Sequence, residues 1–135
     1  MPSFGLNRAT GKAIEGFDHV IQSIDVIFST RIGERVMRRH FGSASPALIG
    51  RAMTPNPVVV FFYLIMWTLE RWEPRFKVVQ ITPSASAEEA RLGHMTFEIA
   101  GEYRPRGHLG DPTPEGIMRT LIVDGRDQGF AVRSA

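Results

Sequence analysis

The sequence predicts an α+β fold, with two main helices packed on a small, mostly antiparallel sheet. Three observations lead to it. Pro57 to Arg75 reads PVVVFFYLIMWTLERWEPR, a long apolar run closed by a charged corner. Residues 17–29 carry apolar side chains at helical spacing. Residues 75–82 and 92–103 alternate apolar and polar side chains, the pattern of half-buried strands.

Composition narrows the class. A chain of 135 residues with 43% apolar content can bury one sizeable core. Cysteine is absent, which excludes a disulfide framework and thiolate chemistry and fits a reducing compartment. Sixteen Lys+Arg against 14 Asp+Glu leave +2, too small an excess to argue for nucleic acid. Lys12 and Lys77 are the only lysines. The other cations are arginines, the residue favoured in bidentate pairs and protein interfaces. Residues 1–10 lack the apolar core of a signal peptide. The apolar run falls short of the ~20 residues a membrane span needs.

In chain order, residues 1–16 form an extended arm or short strand, with Gly11 and Gly16 as turn points. Over 17–29 a helix places Phe17, Val20, Ile21, Ile24, Ile27 and Phe28 on one face. His19, Gln22, Ser23 and Asp25 fall on the other, so His19 is read as solvent-facing; Thr30 and Gly33 end the helix. Residues 31–45 hold Arg31, Arg35, Arg38, Arg39 and His40, with Glu34 the lone acid. A helical turn there buries Val36, Met37 and Phe41, and Gly42 closes it. The stretch is a solvated basic loop, an anion site or a cationic patch for an acidic partner. Interleaved aromatics for base stacking are missing. Residues 46–51 form a helical turn, and Ala52 to Asn56 a proline-broken linker.

The central helix follows. Asn56 suits its N-cap and Pro57 its first turn. Every residue from Val58 to Trp67 is apolar, and Leu69 and Trp72 continue the pattern. A helix apolar all round is expected to be buried all round. Pro74 stops it. That leaves Glu73 at the C-terminus, where a carboxylate opposes the macrodipole by about 0.3–1 kcal/mol. A cation must hold it: Arg75, an arginine from the basic stretch, or one on a partner. Trp72-Glu73-Pro74-Arg75 is therefore either a solvated helix end or a corner where another protein docks. In the docking reading, charge reversal at Arg75 blocks assembly and leaves the isolated fold intact.

Residues 75–82 form a strand, 83–90 a polar hairpin loop, and 92–103 a second strand that presents Met95, Phe97, Ile99 and Tyr103 together. Gly101 marks a bulge. Residues 104–116 are a loop, 117–123 a strand in preference to a helix, Asp124-Gly125 a turn, and Phe130 and Val132 belong to a last strand. The chain divides into an arm at 1–16, a main domain at 17–104 and a C-terminal extension at 105–135 that can add a strand.

Catalytic constellations are weak. Glu34 and Glu73 could form a glycosidase pair, but both sit beside arginines that keep them ionised. His19, His40, His94 and His108 share no metal-ligand spacing, and no phosphate loop or nucleophile elbow stands out. No cofactor or metal is implied. The chain reads as a binding module and not as an enzyme.

The ordered set QSI…T..GER.M…FG…WEPR resembles a known family. IQSIDVIFSTRIGERVMRRHFGS, then the apolar helix, RWEPR and a strand pair look like the W-type baseplate assembly proteins of contractile-tailed phages. GLNRATGKAIEG resembles their opening, and the likeness covers residues 5–104. The family includes a T-even baseplate wedge protein once labelled a tail lysozyme, and the type VI secretion component TssE. The resemblance implies a structural protein of the virion tail baseplate, made in the host cytoplasm. Its Glu-Pro-Arg corner, here Glu73, Pro74 and Arg75, contacts the helical core bundle of the wedge proteins; the residues themselves add Trp72, Arg35, Arg38 and Arg39 as candidate partner contacts. Its sheet resembles the interlocking domain of the tail sheath and receives the first sheath ring by strand addition. Tail tube or hub proteins are further neighbours; nucleic acid and membrane are not. The competing reading is a peptidoglycan hydrolase.

Overall fold

The computed structural model describes residues 3–48, 55–126 and 129–135. Strands β1 (Phe4–Leu6) and β2 (Ala13–Glu15) pair antiparallel, so the arm is a hairpin. Asn7 sets its turn by accepting the Ala9 and Thr10 amides on its side-chain oxygen. Helix α1 (Gly16–Ser29) buries Val20, Ile24, Ile27 and Phe28 and ends as predicted at Thr30. The Thr30 hydroxyl donates to the Val26 carbonyl at 2.7 Å.

The basic stretch differs from expectation. Val36 and Met37 are 87% and 82% exposed instead of buried. Arg38, inside the expected turn, takes positive φ, which a helical turn does not accommodate; Gly33 and Gly42 take it at either end. The chain instead folds back on itself, the Gly33 amide reaching the Arg39 carbonyl and the Ser43 amide the Thr30 carbonyl. A 3-10 turn at Ser45–Leu48 stands where a helical turn is predicted. Ala52 to Thr54 of the expected linker lie outside the described residues.

Helix α2 runs Pro55–Trp72, so Asn56 lies in its first turn and is not the N-cap. Phe61, Ile65, Thr68 and Leu69 are buried. Val59, Val60, Tyr63, Met66 and Trp67 are exposed, which overturns the expectation of burial all round. A single four-stranded sheet and α1 cover one side of the helix; none of the described residues covers the other.

The sheet comprises β3 (Phe76–Pro83), β4 (Met95–Tyr103), β5 (Met118–Arg126) and β6 (Gly129–Ser134), in that order and antiparallel throughout. Met95, Phe97, Ile99 and Tyr103 face the core as predicted. The bulge lies on β3 at Val79, opposite Gly101 and Ala100. Gly101 is glycine because a Cβ there would stand 2.5 Å from the Lys77 carbonyl and 2.6 Å from the Phe76 ring. The predicted loop at 83–90 contains a short helix, α3 (Ala87–Arg91), started by a reciprocal Ser86–Glu89 capping box. Asp124 and Gly125 are strand residues paired with Ala131 and Phe130, not a turn.

The segment 105–135 shares the core of 17–104. β5 pairs along β4 from Met95 to Glu102. Leu121 and Val123 are wholly buried, and the Phe130 ring centroid lies 5.8 Å from that of Phe28 and 6.2 Å from that of Phe61. Phe97 and Ile99 would lose their neighbours on β5 if the chain stopped at residue 104. Such a truncated chain is expected to show no cooperative unfolding by circular dichroism; a sharp transition would make 105–135 an appendage.

Candidate docking corner

The corner is built by a helix that cannot continue. The Glu73 amide still reaches the Leu69 carbonyl at 2.8 Å, but Pro74 blocks the next turn. The Phe76 amide then donates to the Glu73 carbonyl at 3.2 Å, reversing the chain into β3. This tight turn brings Glu73 and Arg75 to the same side. Arg75 Nε donates to Glu73 Oε1 and Nη2 to Oε2, both at 2.6 Å. The side chains are 1% and 9% exposed. The cation that holds Glu73 is therefore Arg75 of the same chain.

The remaining guanidinium nitrogen ties in two further elements. Arg75 Nη1 donates to Ser3 Oγ at 2.5 Å and lies 3.1 Å from His19 Nδ1. Arginine only donates, so Nδ1 accepts and the neutral ring carries its proton on Nε2. His19 is half-buried here, which corrects its solvent-facing reading. The N-terminal hairpin covers it: a Cβ at Gly5 would fall 2.5 Å from His19 Nε2. Burial chiefly lowers the His19 pKa; Arg75 and His108 lower it further and Glu73 opposes them.

A third segment clamps the backbone. The Arg104 amide donates to the Arg75 carbonyl at 2.7 Å. A Cβ at Gly107 would stand 2.3 Å from the Pro74 carbonyl oxygen, so only glycine fits. Ser3, His19 and Gly107 are corner residues that sequence reasoning missed. Ser3 lies 72 positions from Arg75 and His19 56, with no local spacing to announce them.

Outside this buried pair, Pro74 is exposed and Trp72 half-buried. A cleft of about 310 Å³ opens beside them, lined by Glu70, Phe76, Lys77 and Arg104 among others. The basic loop packs on Trp72. The His40 ring lies 5.5 Å from the Trp72 ring, and the Arg38 guanidinium 5.9 Å above it. Arg35 sits 4.1 Å above Phe41, which meets Trp72 edge-on at 5.0 Å. Arg39 is exposed, and its side chain makes no hydrogen bond, ion pair or ring contact among the described residues.

Hydrolysis finds no support in this geometry. Both Glu73 oxygens accept from Arg75, which holds the carboxylate ionised and not poised as an acid. Glu34 is exposed and accepts the Arg31 amide at 2.8 Å. Among the described residues, no group of three or more histidines and carboxylates could hold a metal ion, and no helix is long and apolar enough to cross a membrane.

Residues 15–107 match the family described as Baseplate wedge protein gp25. Over 103 residues the chain is 31% identical to Baseplate protein W of Escherichia phage P2, covering 76% of this chain and 86% of that protein. Among solved structures, a chain of the postcontracted pyocin R2 baseplate superposes with a TM-score of 0.64 at 24% identity, covering 75% of this chain and 98% of that one. A Geobacter sulfurreducens protein described as a tail lysozyme gives 0.59 at 22% identity, covering 82% and 92%. At these identities the two structures establish the shared fold alone.

Removing one member of a buried ion pair strands the other. Arg75→Gln is expected to cost about 3–5 kcal/mol in urea unfolding, against under ~0.5 kcal/mol for exposed Arg39→Gln. Charge reversal at Arg75 is therefore expected to destabilise the isolated fold, where the sequence expectation leaves it intact. A His19 pKa below its ordinary 6.5 means that the unfolded chain takes up the proton first as pH falls. Stability is then complete above that value and declines as pH falls below it. His19→Asn should flatten this acid limb in unfolding midpoints measured across pH 7 to 4, a range centred about the usual histidine and carboxylate values.

Proposed function

The chain belongs to the baseplate wedge protein gp25 family, and from that membership we propose how it works in a contractile tail. Its role is structural and its place is the tail baseplate. In the proposed mechanism it docks on the helical core of the wedge proteins through the corner and starts the sheath by strand addition at β6.

The observation that carries the docking half is the closed Glu73–Arg75 pair. The pair does not reach for a partner. It holds Pro74 outward and Trp72 at the surface, with Arg35 and Arg38 gathered around and Arg39 free beside them. A corner ordered before contact loses little conformational freedom on docking.

The strand-addition half rests on the two sheet edges. β3 is blunted by the Val79 bulge and ends in Pro83, which has no amide proton. β6 is regular. The Ala135 amide donates to the Thr120 carbonyl at 3.0 Å. Counting back by alternation, the amides of Arg133 and Ala131 also turn towards β5, and those of Phe130, Val132 and Ser134 turn towards the free edge. Main-chain groups in that array suit an added strand. A cleft of about 390 Å³ lies alongside, with Ile14, Ile21 and Val132 in its lining to receive an incoming apolar side chain.

Two variants separate the halves. Arg35→Glu with Arg39→Glu changes exposed residues, so the thermal midpoint should hold while baseplate yield drops by about tenfold, as for loss of interface anchors. Val132→Pro deletes an outward amide and spares the β5 ladder, so baseplates should form but carry no sheath. Normal particles from the first variant would refute docking at the corner, and normal sheaths from the second would refute β6 as the acceptor.

A further inference from the structure

The outer face of α2 is not explained by the corner or by the sheet edge. Tyr63 is 69% exposed, Trp67 56% and Val59 52%. A contiguous apolar face on a small domain marks a contact surface. Its spacing is specific: Val59, Tyr63, Met66 and Glu70 fall at steps of four, three and four, the seam of a helix that packs along another helix. Val59, Phe62, Tyr63 and Met66 line a cleft of about 320 Å³. Positions i, i+3, i+4 and i+7 are the four that form a hole for one side chain of a facing helix.

Charge indicates which helix. Arg71 lies 5.9 Å from the Trp67 ring and 5.3 Å from the Trp72 ring, and so joins the seam to the basic loop. Among the described residues, the guanidinium groups of Arg31, Arg35, Arg38, Arg39 and Arg71 have no carboxylate partner. Glu70, the one acid on the seam, is already paired with Lys77. A cationic cluster thus sits at the C-terminal end of an apolar seam. Acidic residues are most stable in a helix's first turn, and antiparallel helix dipoles attract.

We infer that the outer face of α2 receives an amphipathic helix of another protein, antiparallel to α2, with an acidic first turn over the basic loop. A second copy of this chain fits poorly, because the first turn of α2 holds no acidic residue to set against the arginines. The inference deepens the docking reading by giving the partner's chemistry, yet its test contains no particle, so each can fail alone.

The probe is a fluorescently labelled synthetic helix with leucine at both seam positions and glutamates in its first turn, titrated with the full chain. Saturable binding is expected. It should weaken by about tenfold with Tyr63→Lys in the chain, or with lysines replacing the first-turn glutamates, as for loss of an interface anchor or a charge match. Met66→Lys serves should Tyr63→Lys lose the wild-type circular dichroism spectrum. The inference is overturned if the acidic helix does not bind, if both peptides bind equally, if the variant binds as well as wild type, or if the chain self-associates through this face and Tyr63→Lys abolishes it.

Discussion

One buried ion pair organises the molecule. A carboxylate at a helix C-terminus faces the negative end of the macrodipole, and Glu73 occupies that position. Arg75 resolves the conflict two residues later, because Pro74 forces a turn that brings its guanidinium back onto the acid. Burial then makes the pairing obligatory, since either charge alone would be stranded away from water. The free nitrogen of Arg75 reaches the N-terminal hairpin through Ser3 and α1 through His19. The loop after β4 closes over the backbone at Gly107. The helix end, the hairpin and α1 thus meet on one guanidinium, and the loop after β4 meets the backbone beneath it.

Much of the fold was legible in the sequence, and the failures have physical causes. The α1 stripe and the β4 alternation were readable because each has one wet and one dry face. The apolar run of α2 misled because apolar composition does not guarantee burial; one small sheet cannot surround a helix. Val36 and Met37 look like core residues until the backbone is known, and three left-handed residues around them carry them outward. The Ser86–Glu89 box was present in the sequence but was read as part of a loop. At the corner, helix-end electrostatics called for a cation near Glu73, and the two-residue spacing offered Arg75. His19 and Ser3 could not be found this way, because their meeting depends on tertiary packing.

The family likeness and the geometry describe different parts of the chain. Residues 15–107 carry the match to the baseplate wedge family. β5 and β6 lie beyond it, yet β5 fills the middle of the sheet and Leu121 and Val123 complete its core. The surfaces proposed for neighbours sit on separate elements: the basic loop at the corner, the outer face of α2 and the margin of β6. The buried hub at Arg75 ties the hairpin, α1 and the start of β3 to one side chain.

The irregularity of β3 has a directional consequence. Val79 and Pro83 spoil one margin of the sheet for any chain that would copy its ladder, and the opposite margin keeps its rhythm. On the proposed strand addition, growth would proceed from one flank only. The domain would then be a seed with a single live end, and whatever lengthens from it would inherit a polarity written into one extra residue.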